Sequence, residues 1–276
     1  MALALILSSF VAASRIGGAA QQYVLAAHRI DPVLAPTAMF GRTPARGGKG
    51  EVTPPDVFRR MLGDIEADAV FGLVDLILTG HFSDPVQVEI AAGLIERARV
   101  GDTGRPIIVI DPVLGDAPGG LYVSEAVARA VAERLVPLAD WITPNLWELE
   151  RLSGREITTA AEARDAARAL GRPALVTSTP AGEDEIGVLY VDAETATLFA
   201  HPRADAAPKG TGDLVSASFA AGLIEGLAPR AAAARATRAA AEAVAAAIRW
   251  RTDELPIVAI ADRIVRPEAA LREQTL

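Results

Sequence analysis

The feature that most constrains this chain is an alternation: short runs that are apolar throughout recur between stretches of helical pattern. Strand-like runs lie at residues 3–8, 70–78, 106–110, 141–143, 174–178, 186–191 and 195–200. Helical patterns lie at 17–29, 55–66, 85–99, 124–135, 145–152, 160–170, 211–225 and 229–250. A strand with no polar face must be covered on both sides, which is the condition of a parallel sheet. Helices between successive parallel strands imply right-handed crossovers and a layered domain. Residues 182–200 differ, because two strands follow each other with little between them, and they predict an antiparallel hairpin at the sheet edge. The expected fold is therefore α/β: a three-layer, mostly parallel sheet with helices on both faces and an antiparallel edge hairpin. No internal repeat and no dividing linker is visible, so residues 1–276 are expected to form a single domain.

Composition narrows the function. Hydrophobic residues make up 51% of the chain and aromatics 5%, so the core must be built from Ala, Val, Leu and Ile. The net charge is −8 and there is no basic run, which argues against nucleic acid and anionic membrane as partners. Cysteine is absent, which excludes disulfides and thiol chemistry, and the three His are scattered. Residues 1–10 are apolar but lack a basic leader, so they read as a buried first strand rather than a signal peptide. No apolar run approaches the roughly 20 residues of a membrane span, and a cytoplasmic protein is expected. Residues 42–50, rich in Gly and positive charge, read either as a lid or as a surface loop.

The run Lys209, Gly210, Thr211, Gly212, Asp213 opens a helix of small residues. Glycines let the backbone turn tightly and bring its amides to a bound group. The helix start adds unpaired N–H groups and the positive end of its dipole. Together these make an anion cradle with a carboxylate beside it, an arrangement suited to phosphoryl transfer. The same residues also fit a helix-opening loop with Asp213 as an N-terminal charge.

In parallel sheets the ligand lies beyond the carboxyl ends of the strands, and several strand ends carry matching chemistry. Ser8 and Ser9 follow the first run, Thr79-Gly80-His81 the second, Asp111 and Asp116 the third, Thr143, Asn145 and Glu148 the next, and Thr177-Ser178 the next again. Asp111, Asp116 and Glu148 are oxygen donors of the kind magnesium prefers alongside phosphate oxygens. Singly, each has a structural reading: Asp111 before Pro112 as a turn, Thr143 as a helix cap, Glu148 as an exposed helix charge.

The chain resembles the pyridoxal kinases of the ribokinase superfamily, from about residue 5 to residue 226. The resemblance rests on Asp111-Pro-Val-Leu-Gly-Asp116, Gly120-Leu-Tyr-Val123, Thr143-Pro-Asn-Leu-Trp-Glu-Leu-Glu150, Val176-Thr-Ser178, and His201-Pro-Arg203 leading into Lys209-Gly-Thr-Gly-Asp213. The tail Ala261-Asp-Arg-Ile-Val-Arg-Pro267 is similar to the family as well. The resemblance implies a ribokinase-like homodimer that phosphorylates the 5′-hydroxymethyl group of vitamin B6 vitamers, using ATP and magnesium and leaving a monovalent cation open. It implies Asp213 as catalytic base and Gly210, Thr211 and Gly212 as the anion hole. Asp111, Asp116, Tyr122 and Glu148 would surround the metal. Asp111, Thr143, Asn145, Glu148, Thr177, Ser178 and Lys209 would hold the phosphates, and His201, Pro202, Arg203 and Ala204 would border the nucleotide. Ser9, Thr37, His81 and Asp213 would meet the acceptor.

The acceptor end departs from the family. A Tyr-Gly pair and a Gly-Asn pair after the first strand read Ala13-Ser14 and Gly17-Gly18. Thr37 is kept in a threonine-led loop, but a His expected soon after Thr43-Pro44 is Ala45, and a Gly-Tyr pair reads Gly80-His81. Two alternatives therefore stand beside the vitamer reading: a kinase for another hydroxymethyl compound such as a hydroxymethylpyrimidine, and a homologue that binds pyridoxal phosphate without turnover.

Overall fold

A nearly unbroken apolar run forms strand β1 (Ala2–Val11), and this first strand lies inside the sheet rather than at its rim. The computed structural model describes residues 2–100, 105–204 and 206–276, with residues 45, 69 and 70 described by their backbone alone. After β1 come α1 (Gly17–Ala27), β2 (Ile30–Phe40), β3 (Gly50–Val52), α2 (Pro55–Ala67), β4 (Val74–Thr79), α3 (Pro85–Val100) and β5 (Ile107–Ile110). The two-residue strands β6 (Gly115–Asp116) and β7 (Gly120–Leu121) make a small separate hairpin. Then follow α4 (Glu125–Ala130), β8 (Trp141–Ile142), α5 (Leu146–Ser153), α6 (Ala160–Ala169), β9 (Ala174–Pro180), β10 (Glu185–Val191) and β11 (Ala196–Pro202). The chain ends with α7 (Thr211–Ile224), α8 (Pro229–Trp250), α9 (Ala261–Val265) and β12 (Arg272–Thr275).

Among the described residues the main sheet runs β12-β11-β10-β9-β8-β5-β4-β1-β2-β3. Strands β9, β8, β5, β4, β1 and β2 are parallel, while β10, β11 and β12 on one flank and β3 on the other are antiparallel to their neighbours. Side chains alternate between the two faces. In β1, Leu3, Leu5 and Leu7 join the apolar layer of α2 to α6 (Phe58, Ile95, Val127, Leu149, Ala163), and Ala4 and Ile6 join the layer of α1, α7 and α8 (Val24, Phe219, Ala236). Because aromatics are scarce, the second layer closes with alanine: Ala232, Ala233, Ala236, Ala239, Ala240 and Ala243 of α8 are all buried. The α7–α8 contact is so close that a Cβ at Gly222 would stand 2.7 Å from the Ala232 Cβ.

The mostly parallel, doubly covered sheet agrees with the sequence expectation, and β10–β11 form the expected antiparallel hairpin. Three details differ. The hairpin is not the rim, because the exposed strand β12 pairs with β11 and lies outside it. The run at 70–78 begins as a 3₁₀ turn over Ala69–Leu73, and only Val74–Thr79 is strand. The helix expected at 124–135 is helical over α4 and then widens into a π turn over Val131–Leu135. No helix among the described residues is long and apolar enough to cross a membrane.

Candidate active site

The parallel strands end on one edge, and their last residues meet the start of α7 there. Gly210 turns the chain into that helix with φ 97°, a conformation that a side chain disfavours. A Cβ at Gly210 would also lie 2.3 Å from the Arg15 carbonyl oxygen, so the turn is pressed against the segment after β1. A Cβ at Gly212 would meet nothing within 4 Å, which leaves the cradle open on that side. Asp213, in the first turn, is half-buried, and its Oδ2 accepts the Gly17 N–H at 2.8 Å. Gly17 has φ 58°, and a Cβ there would lie 2.7 Å from Ser9 Oγ. Ser9, Gly17 and Asp213 thus converge. Burial lifts the Asp213 carboxyl to about 6, while the Gly17 amide pulls it down.

Two more acids stand nearby, both buried. Asp111 follows β5, and its carboxyl is pushed well above the ordinary range, first by burial and then by the charges of Glu148 and Asp213. Glu148 is held to about 7, chiefly by burial, against three amides that favour its charge. Its Oε1 accepts from Leu114 N at 2.7 Å and Gly115 N at 3.4 Å, and its Oε2 from Asn145 N at 2.8 Å. Asn145 caps α5 in return, accepting the Glu148 N–H at 2.9 Å, and its Nδ2 donates to the Gly115 carbonyl at 2.8 Å. This reciprocal cap resolves the open readings: the cap is Asn145 rather than Thr143, and Glu148 is buried rather than solvated. Asn145 also bridges to Thr177, whose N–H donates to the Pro144 carbonyl at 2.9 Å. Ser178, the next residue, takes a left-handed φ of 59°.

The β6–β7 hairpin overhangs these groups. From it Asp116 forms an ion pair with Lys209, whose Nζ also lies 3.5 Å from Tyr122 Oη. Burial and Asp116 raise the Tyr122 hydroxyl above its usual range. His201 and Pro202 end β11, with Arg203 and Ala204 in the loop beyond. Among the described residues no hydrogen bond joins these four to the Asp213 cluster; Arg203 N donates instead to the Asp184 carbonyl at 2.8 Å.

At the acceptor end, Thr37 lies in strand β2 rather than in a loop, is fully buried, and donates through Oγ1 to the His81 carbonyl at 2.5 Å. His81 Nε2 lies 2.9 Å from Ser83 Oγ, and burial lowers its imidazole to about 4, so the ring is neutral at pH 7. Gln87 ties this end together, donating to the carbonyls of Thr37 at 2.8 Å and Thr53 at 2.7 Å. The side chain of Ala45, the other position that departs from the family, lies outside the described set.

A metal fits this site in one way only. Among the described residues no three acidic or His side chains converge as a ready-made cage. Magnesium does not need one, since it keeps several waters and completes its shell with phosphate oxygens and one or two carboxylates. Buried Asp111 and Glu148, each raised further by the charge of Asp213, form with it a field that a cation relieves. The Thr143 hydroxyl is buried without a hydrogen-bond partner among the described residues, which leaves it for an incoming group.

Sequence reading did not single out Gly17 as a contact of Asp213. Its signal was two adjacent glycines opening a helical pattern after a strand that ends in serines. Ser216 was missed as well: its hydroxyl donates to the Asp213 carbonyl at 3.1 Å and helps hold the charge of Asp111.

A doubly covered parallel sheet, with an acid in the first turn of a helix that opens on Gly-Thr-Gly, defines a ribokinase-like kinase. The family model described as phosphomethylpyrimidine kinase matches residues 24–258. The pyridoxine/pyridoxal/pyridoxamine kinase of Bordetella avium is 34% identical over 226 residues, covering 79% of this chain and 76% of that one. The pyridoxal kinase of Rubrobacter xylanophilus is 32% identical over 229 residues, covering 80% and 79%. Pyridoxal kinase from Leishmania donovani, solved with ADP and pyridoxamine, superposes with a TM-score of 0.90 over the whole of both chains at 22% identity, a likeness of fold. The chain belongs to the pyridoxal kinase family.

Proposed function

We propose that this protein transfers the γ-phosphoryl group of ATP to the 5′-hydroxymethyl group of pyridoxal and related vitamin B6 vitamers. The observation that carries the reading is Asp213, set behind the 210–212 cradle and held by the Gly17 amide at 2.8 Å. The acceptor hydroxyl enters between Ser9 and Asp213. Its oxygen attacks the γ-phosphorus, the bond to the bridging oxygen breaks, ADP leaves, and the proton passes to Asp213. With its carboxyl near 6, Asp213 is ionised at neutral pH yet basic enough to take that proton. The amides of 210–212 face the charge of the transferring group. Thr143, Asn145, Thr177, Ser178 and Lys209 lie along the phosphates, and His201, Pro202, Arg203 and Ala204 border the nucleotide. Asp111, Asp116, Tyr122 and Glu148 would hold magnesium. Magnesium would supply charge neutralisation of the phosphates there.

The relatives named above, which act on these vitamers or carry ADP, support the substrate pair. The reading also takes the chain as one kinase domain, cytoplasmic and homodimeric, with a monovalent cation as a possible further requirement. A second acceptor is kept in view by His81, and by the phosphomethylpyrimidine kinase description of the matching family: a hydroxymethylpyrimidine. Coupled ADP release, measured across pyridoxal, pyridoxine, pyridoxamine and hydroxymethylpyrimidine, tests the proposal. Turnover of a vitamer is expected. Turnover of hydroxymethylpyrimidine alone would move the acceptor assignment, and no turnover of any would reject the enzyme.

A further inference from the structure

Glu254 stands in the turn after α8, outside every motif of the site, and its carboxylate joins three segments of the chain. Its Oε1 accepts from Ser14 Oγ at 3.1 Å, and its Oε2 accepts the Arg15 N–H at 2.9 Å. The guanidinium of Arg46, in the 3₁₀ turn Pro44–Arg46 of the glycine-rich loop, lies 3.4 Å from Oε1. Glu254 fixes its own turn as well, since its N–H donates to Thr252 Oγ1 at 3.2 Å. The side chain is about three-quarters buried, at 26% exposure, so water competes only weakly for these donors.

What Glu254 holds is the strap that carries the Asp213 contact. The Arg15 N–H points to Glu254, while the Arg15 carbonyl oxygen presses on Gly210, where a Cβ would come within 2.3 Å. Two residues on, the Gly17 N–H donates to Asp213. Residues 14–17 are therefore pinned by Glu254 at one end and by Asp213 at the other, and lie flat against the anion cradle between them. Among the described residues no other side chain accepts from both Ser14 and Arg15.

We propose that Glu254 is a positioning residue for phosphoryl transfer, holding residues 14–17 so that the Gly17 amide and the Gly210 turn keep Asp213 in line with the acceptor. Through Arg46 it ties the loop at 42–50 to the same carboxylate, so that loop and the proposed base share one anchor. Glu254 touches no reacting atom, and its effect passes through the strap. The proposal rests on the reading of Asp213 as base.

The test uses the full chain with ATP and pyridoxal, comparing Glu254→Ala and Glu254→Gln with wild type. Without the anchor, kcat is expected to fall about 10- to 100-fold, the scale of a small misplacement of catalytic groups, with the KM for ATP unchanged. Glu254→Gln keeps one acceptor oxygen for two donors and is expected to fall between Ala and wild type. A purely structural role would not produce that split or that partial rescue. Hydrogen exchange of the Gly17 amide supplies a readout independent of activity, and faster exchange is expected in Glu254→Ala. A folded Glu254→Ala enzyme with wild-type kcat, or with lowered kcat and unchanged Gly17 protection, overturns the proposal. If Glu254→Ala does not fold, Glu254→Gln is judged by the same two measurements. Asp213→Asn separates the two readings: if it stays active, the base assignment falls and the proposal with it. If it is inactive while Glu254→Ala is fully active, the proposal alone falls.

Discussion

At the proposed phosphate end, side chains are held by main chain: Glu148 accepts three amides, Asn145 caps a helix and grips a carbonyl, and Asp213 takes the Gly17 N–H. At the proposed acceptor end the direction reverses: the side chains of Thr37 and Gln87 serve carbonyls, that of His81 among them, and hold the wall in shape, while the His81 ring meets Ser83. A site fixed by backbone amides changes only if the fold changes. A wall held in shape by side chains changes with one substitution. The proposed acceptor end also holds His81 and Ala45, the positions at which the resemblance drawn from the sequence weakens.

The largest test of this contrast is Asp213→Asn, expected to lower kcat by roughly 10²–10⁴ with ATP binding kept. Near-wild-type turnover in a folded variant would break the phosphate end as described. The next is pH. As the proposed base Asp213 would work deprotonated, and burial raises its carboxyl to about 6. Activity is therefore present above that value, and kcat/KM should drop about tenfold per unit below it; a profile flat down to pH 5 would contradict the assignment. Gly17→Ala probes the border between the two ends. It forces an alanine into φ 58° and sets its Cβ 2.7 Å from Ser9 Oγ. A loss of about 1–3 kcal/mol of stability is expected from the backbone strain, seen as a lower Tm, and an unchanged Tm would show that the strap moves freely. The smallest effect belongs to His81→Tyr. A restored aromatic surface should strengthen pyridoxal binding by about 1 kcal/mol, lowering its KM and leaving that of ATP alone. A shift in both would mean that the two ends are not independent.

Much of the fold was legible because period and polarity agree with it. β1, α2, α3 and α8 lie within a residue or two of the apolar and helical runs that mark them, apart from the longer ends of β1. β2 was not legible, because Pro32 and Pro36 argue against a strand. The structure tolerates them since β3 pairs only with Ala38–Phe40, so over residues 30–37 β2 has a ladder on the β1 side alone. β12, Arg-Glu-Gln-Thr, is polar on both faces because it lies exposed at the rim, and it carries no strand pattern. In the site, Asp213, Asp111 and Asn145 were legible as residue types at strand and helix ends. The Gly17 amide was not, because a backbone donor has no letter of its own. Glu254 was not either: the contact from Arg15 to Glu254 spans 239 positions, which only topology brings together.

The alanine seam between α7 and α8 has a consequence at the far end of α7. Helices packed this closely, with Arg235 of α8 also reaching Gly222 and pairing with Glu225 at the end of α7, leave little room for one to shift without the other. α7 carries the Gly210 turn and Asp213 at its head, and Gly222 meets Ala232 near its tail. A single added methyl at that tail pushes on a helix whose other end carries the Gly210 turn and Asp213. A substitution at that seam is therefore expected to reach Asp213 through the length of the helix, from a position that lies far from the Gly210 turn.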